Sequence, residues 1–138
     1  MLSTNVLLVD NCKTDIDKIK KAFSENCIHF NLNISENVSE AWLLLQGKSK
    51  LSPTPKIMLI DINEQGIDGL DLIRKIRKNP FLKSILIYVI TSTDNDINKI
   101  AAFDLNVAGY LHKPDDEEKW DAFFSILNDY WSIIKYSN

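Results

Sequence analysis

Short apolar runs alternate along the chain with longer stretches whose apolar residues recur at helical spacing, the pattern of βα units feeding a parallel sheet. The first run, Asn5–Val9, is continuous rather than alternating, which suits a strand covered on both faces. A helix is predicted from about Thr14. Thr14 would cap it, Asp15 and Asp17 suit the positive end of its dipole, and Ile16, Ile19 and Phe23 form its inner stripe. A weaker strand follows over His29–Ile34, and Asn37 with Glu40 has the spacing of a capping box ahead of a helix that Gly47 ends. The third strand is expected over Lys56–Ile60, followed by a polar loop and a helix GLDLIRKIRK closed by Asn79-Pro80. A fourth strand over Ile85–Ile90, a helix from Asp94 to Phe103, a fifth strand over Val107–Leu111 and a final helix over about Asp115–Lys135 complete the series. The fold class is therefore α/β, a doubly wound parallel sheet of five strands with helices on both faces. The pattern does not give the strand order.

Composition changes this picture little. The 138 residues are expected to form a single domain (1–138) with no output domain behind the last helix, and a domain of that size can bury a core. A net charge of −3 offers no basic face for nucleic acid. No apolar run approaches the ~20 residues needed to cross a membrane, and the N-terminus lacks the basic-then-apolar order of a secretory signal. A cytoplasmic location is expected, with no nucleic-acid or membrane partner. Cys12 and Cys27 lie at no metal-binding spacing and are expected as reduced thiols, Cys12 as a small buried one. His29 and His112 lack partners at catalytic or metal spacing and read as structural.

In open α/β sheets ligands bind beyond the carboxyl ends of the strands. The polar residues predicted there are Asp10 and Asn11, Asp61 and Asn63, Thr91 and Ser92, and Lys113. Carboxylates suit Mg²⁺, an ammonium suits a phosphate, and a carboxylate can act as a nucleophile toward phosphorus. Taken singly the residues have plainer readings: a strand-end Asp as a turn residue, Asn63 as a turn former, Thr91 as cap chemistry, Tyr110 as a half-buried strand aromatic.

The segments VLLVDN, IMLIDIN, DGLDLIRKIR, YVITST and AGYLHKP, in this order and spacing, resemble the receiver domain of two-component response regulators across nearly the whole chain. The phrase RKNPFLKSILIYVITST is most similar to small stand-alone receivers, including those partnering phytochrome-type sensor kinases. The resemblance implies a flavodoxin-like (βα)5 fold in which Asp61 accepts a phosphoryl group from a sensor histidine kinase or phosphotransfer protein. It implies a Mg²⁺ held through Asp10, Asn11, Asp61 and the backbone carbonyl of Asn63, with Lys113 pairing with Asp61 and then with the phosphoryl group. Thr91 would donate its hydroxyl to that group, Tyr110 would report the movement to a face formed by the fourth helix, fifth strand and fifth helix, and Lys113-Pro114 would be cis. Catalysis would be limited to the domain's own phosphorylation and dephosphorylation, and the signal would leave through a downstream protein.

Two departures stand out. Asn11 occupies a position that is usually an acid, which weakens Mg²⁺ binding, and Glu64-Gln65 replace a common Met-Pro pair, with Glu64 offering some negative field in exchange. They leave open a degenerate pseudo-receiver acting by phosphorylation-independent binding. A small Mg²⁺-dependent phosphatase with an Asp nucleophile is disfavoured, because Asn63 stands where a second acid is wanted. A flavin carrier is disfavoured because DNCKTD is a poor phosphate loop. In the last helix, Trp120, Phe123, Leu127, Trp131 and Ile134 form one apolar stripe, and Ile126, Tyr130 and Ile133 a second. The expected reading is a broad core-facing helix; the alternative is a partner surface or homodimer through the fourth helix, fifth strand and fifth helix.

Overall fold

Each strand places alternate residues on opposite faces, and in the three inner strands both faces are buried. In the structure, a computed structural model describing residues 4–62 and 67–136, β1 (Thr4–Val9), β2 (Phe30–Ser35), β3 (Ile57–Asp61), β4 (Leu86–Thr91) and β5 (Gly109–His112) form one parallel sheet in the order β2-β1-β3-β4-β5. The helices are α1 (Lys13–Asn26), α2 (Val38–Gln46), α3 (Ile67–Lys78), α4 (Asp96–Asp104) and α5 (Glu117–Ile133). Leu7, Val9, Met58, Ile60, Ile87 and Val89 point into a core covered by α2, α3 and α4. Their neighbours Val6, Leu8, Ile57, Leu59, Tyr88 and Ile90 point into a second core beneath α1 and α5. That two-sided burial is why β1, β3 and β4 read as nearly continuous apolar runs, whereas the edge strand β2 alternates and is only partly buried.

Among the predicted caps, Asn37 accepts the Glu40 amide through its side chain at 2.8 Å. Thr14 does not cap α1. The helix begins one residue earlier, with Cys12 in extended backbone at the cap position and no side-chain cap hydrogen bond, so the turn is set by Asp10, whose Oδ1 accepts the Cys12 amide at 2.9 Å. Asn95 caps α4 and Asp116 caps α5, each starting the helix later than predicted. β5 also starts late, because Asn106 at φ 59° turns the chain after α4 before it joins the sheet.

The broad core-facing expectation for α5 is corrected. Trp120, Phe124, Leu127 and Trp131 are its buried residues, whereas Phe123 is half-buried, and Ile126, Tyr130 and Ile133 are 68%, 50% and 79% exposed. Phe124 rather than Phe123 enters the core because it lies four residues from Trp120, three from Leu127 and seven from Trp131, in line with the buried stripe. Two further corrections concern side chains and a peptide bond. Cys12 is exposed while Cys27 is buried, and burial pushes the Cys27 thiol up to about 12. Lys113-Pro114 is trans, since the cis peptide among the described residues is Ser52-Pro53. The trans form is the intrinsically favoured isomer, and it is compatible with the Lys113 amide donating to the Thr91 carbonyl at 2.8 Å in continuation of the β4–β5 ladder. His29 and His112 are both exposed. No helix among the described residues is long and apolar enough to cross a membrane.

Candidate functional site

Parallel pairing brings the strand ends to one edge of the sheet. Val9 pairs with Ile60, so Asp10 and Asp61 follow side by side, and Thr91 pairs with His112, so Lys113 follows beside it. Lys113 reaches back under this edge. Its Nζ lies 3.0 Å from Asp10 Oδ2, 3.0 Å from Asp61 Oδ2 and 2.7 Å from Asp15 Oδ2. The Asp10 side chain is fully enclosed and that of Lys113 nearly so, while Asp61 and Asp15 keep 20% and 25% of their side chains exposed. The open side of the cluster is therefore the one that Asp61 and Asp15 share. An ammonium has three hydrogens to donate, and here each has a carboxylate.

Burial alone penalises a charged lysine, yet hydrogen bonds from Asp15 and Asp10 and the charges of Asp10 and Asp61 hold the Lys113 pKa above its usual range. For Asp61 burial wins: its carboxyl is held above the ordinary aspartate value, Lys113 pulling it back and Asp10 and Asp15 pushing it further up. Burial opposes ionisation of Asp15 too, but there the direct bond to Lys113 prevails and the carboxyl is held below its ordinary value.

The other predicted residues are placed as follows. Thr91 is buried at the end of β4. Its hydroxyl faces the Ile62 carbonyl at 3.3 Å and the Thr93 hydroxyl at 3.1 Å, and accepts the Thr93 amide at 3.1 Å. It is thus tied to the segment after β3 rather than to the lysine. Tyr110 is half-buried on β5, its ring 6.4 Å from that of Phe103 on α4. Asn11 is exposed beside Asp10. Asn63 and Glu64 lie outside the described residues. Gly69 in the first turn of α3 lets that helix come close to the end of β3, for a Cβ there would stand 2.5 Å from Ile62 Cγ2.

Asp15 was predicted only as an acid suited to the helix dipole. No local signal ties it to a lysine 98 residues away; only the packing of α1 over the strand ends does.

Among the described residues no cluster of three or more His, Cys, Asp or Glu side chains could by itself hold a metal ion. The three aspartates close on an ammonium instead. The donor chemistry nevertheless fits a hydrated hard cation. Asp61 Oδ1 has no hydrogen-bond partner among the described residues, and Asp10 and Asn11 line a cavity of about 150 Å³ with Glu36 and Asp68.

A family model described as "Response regulator receiver domain" matches residues 6–123. The response regulator Rcp1 of Synechocystis is 33% identical over 110 residues, 78% of this chain and 75% of that protein. The chemotaxis protein CheY1 of Helicobacter pylori is 30% identical over 109 residues, 79% of this chain and 84% of that protein. The crystal structure of the Mn²⁺-bound form of Rcp1 superposes with a TM-score of 0.82 at 27% identity, covering 98% of this chain and 99% of that one. The phosphorylated cyanobacterial phytochrome response regulator RcpA superposes with a TM-score of 0.87 at 21% identity, covering 99% and 100%, a likeness of fold.

Proposed function

The chain belongs to the response regulator receiver family of two-component signalling, and on that premise we propose that it is a phosphoacceptor switch in which Asp61 takes the phosphoryl group of a histidine kinase or phosphotransfer protein. The observation that carries this reading is the ammonium of Lys113 at 3.0 Å from both Asp61 and Asp10, at the carboxyl ends of β5, β3 and β1. In the transfer an oxygen of Asp61 bonds to phosphorus as the bond from phosphorus to the donor's imidazole nitrogen breaks, its electron pair staying on the nitrogen. A divalent cation, Mg²⁺ in this reading, would be held by Asp10, Asp61, the Asn11 amide and the Asn63 carbonyl, and when bound neutralises charge between carboxylate and phosphoryl group. Likeness to a protein crystallised with Mn²⁺ supports that assignment.

Lys113 trades its bond to Asp61 for one to the phosphoryl group, which brings about −1.5 to −2 charges by analogy with phosphoserine. The Thr91 hydroxyl leaves the Ile62 carbonyl to donate to the same oxygens, drawing the loop after β4 inward, and Tyr110 turns beside Phe103. A ligand shifts such an equilibrium only by its differential contacts with the two states, and these are the contacts that differ. The chemistry is confined to the domain's own phosphorylation and dephosphorylation. The output surface is read as α4, β5 and α5, where Ile97, Ile100 and Phe103 and then Ile126, Tyr130 and Ile133 stand exposed, and it would receive a downstream protein or a second copy of the chain.

Asn11 favours one second reading, a pseudo-receiver without phosphorylation, because an amide brings no charge to the cation. Amide and side-chain NMR separates the two. Beryllofluoride with Mg²⁺, a stable mimic of the aspartyl phosphate, is expected to shift Thr91, Tyr110 and Lys113 resonances beyond the effect of Mg²⁺ alone. Spectra unchanged by beryllofluoride would leave the pseudo-receiver.

A further inference from the structure

Lys113 has three hydrogens to give, and Asp15 takes the shortest of the three bonds, 2.7 Å against 3.0 Å for Asp10 and Asp61. Asp15 is not a strand-end residue. It sits in the first turn of α1, with its carboxyl only a quarter exposed, and reaches the lysine from the helix side. We propose that Asp15 is a positioning residue of the phosphoacceptor pocket, which retains Lys113 in competition with the phosphoryl group and contributes to a bound cation the negative charge that Asn11 lacks. This assignment rests on the phosphoacceptor reading above.

The reasons are geometric and electrostatic. When Asp61 is phosphorylated, Lys113 must redirect a hydrogen to the phosphoryl oxygens, and its readiness depends on how the remaining carboxylates hold it. Asp10 is enclosed and also accepts the Cys12 amide, so it is fixed in place. Asp15 is the partner that decides how far the ammonium can swing. Three carboxylates against one ammonium leave the pocket with a net negative charge, and Asp15 supplies one of those charges while Asn11 supplies none. A negative charge at this place attracts a cation and repels an incoming phosphoryl group.

Removal of that charge alone therefore has effects of opposite sign. The test is calorimetric titration of the wild type, Asp15→Asn and Asp15→Glu, with Mn²⁺ alone and then with beryllofluoride at saturating Mg²⁺. In Asp15→Asn the Mn²⁺ affinity is expected to fall about tenfold, the order of effect of a unit charge several ångströms away in a partly wet pocket. Beryllofluoride affinity is expected to rise several-fold. Asp15→Glu, which keeps the charge, is expected to restore most of the Mn²⁺ affinity. Damage to the fold would weaken both titrations together, so weaker or unchanged beryllofluoride binding in Asp15→Asn overturns the proposal, as does unchanged Mn²⁺ affinity. A wild type that binds neither probe overturns the phosphoacceptor reading and this assignment with it. A wild type that binds both, with Asp15→Asn indistinguishable from it, overturns only the role of Asp15.

Discussion

Three aspartates around one buried ammonium hold together only while the ammonium is there. Removing one partner of a buried ion pair leaves charge uncompensated, at a cost of about 3–5 kcal/mol; with Asp61 and Asp15 partly in water, Lys113→Met is expected to lower stability at pH 7.5 by about 2–4 kcal/mol. Its pH dependence follows from the same charges. In the wild type the lowered pKa of Asp15 adds stability above the unfolded value of 3.8 that is lost as pH falls through its folded pKa, while the raised pKa of Asp61 acts in the opposite sense. Without Lys113, burial is left to raise the carboxyls of Asp61 and Asp15, so the native state binds more protons than the unfolded chain and gains stability as pH falls. Urea denaturation at pH 7.5 and pH 5 should therefore show the deficit of Lys113→Met narrowing on acidification; a constant deficit would contradict the charge account. Asp10, Asp61 and Lys113 were legible as candidates because apolar runs announce where strands end. Asp15 was not, because an acid in the first turn of a helix already has a local explanation in the helix dipole.

Elements dock here through single residues that sequence periodicity treats as ordinary. Arg77, one of several basic residues in the last turn of α3, donates to the carbonyls of Leu105, Lys83, Ile85 and Asn106 at 2.8, 2.6, 2.9 and 3.0 Å. It thereby pins α3 to the turn before β4 and to the positive-φ turn before β5. Arg77→Ala is expected to cost about 2–4 kcal/mol in urea denaturation, since several carbonyls lose a charged donor at once. Arg77→Lys should recover little of it, because an ammonium cannot reproduce the planar fork; full recovery by lysine would show that charge alone matters. Gly69 is a second such residue. Alanine is the better helix former, yet overpacking against Ile62 should cost about 1–3 kcal/mol, so that Gly69→Ala lowers the thermal midpoint. A raised midpoint would mean that Ile62 yields freely. The Asn37 cap was readable because its partner lies three residues away, whereas the reach of Arg77 spans 28 residues to Leu105.

For the whole molecule, the alternation of apolar runs with helical stretches was enough to give the parallel α/β class, because burial on both faces leaves no polar alternation in the inner strands. The order β2-β1-β3-β4-β5 was not legible, since each βα unit has the same pattern wherever it is placed. Nor was it legible which stripe of α5 the sheet would claim, because Phe123 and Phe124 are alike in sequence and differ only in the angle at which the helix packs. The architecture collects three carboxylates and one ammonium at a single edge of the sheet, and the central claim is that Asp61 in that cluster accepts a phosphoryl group. Intact-mass spectrometry after incubation with acetyl phosphate and Mg²⁺, on the wild type and on Asp61→Asn, tests it most directly. A gain of one phosphoryl mass is expected in the wild type and none in Asp61→Asn; an equal gain in both, or no gain in the wild type at saturating Mg²⁺, would exclude Asp61 as the acceptor.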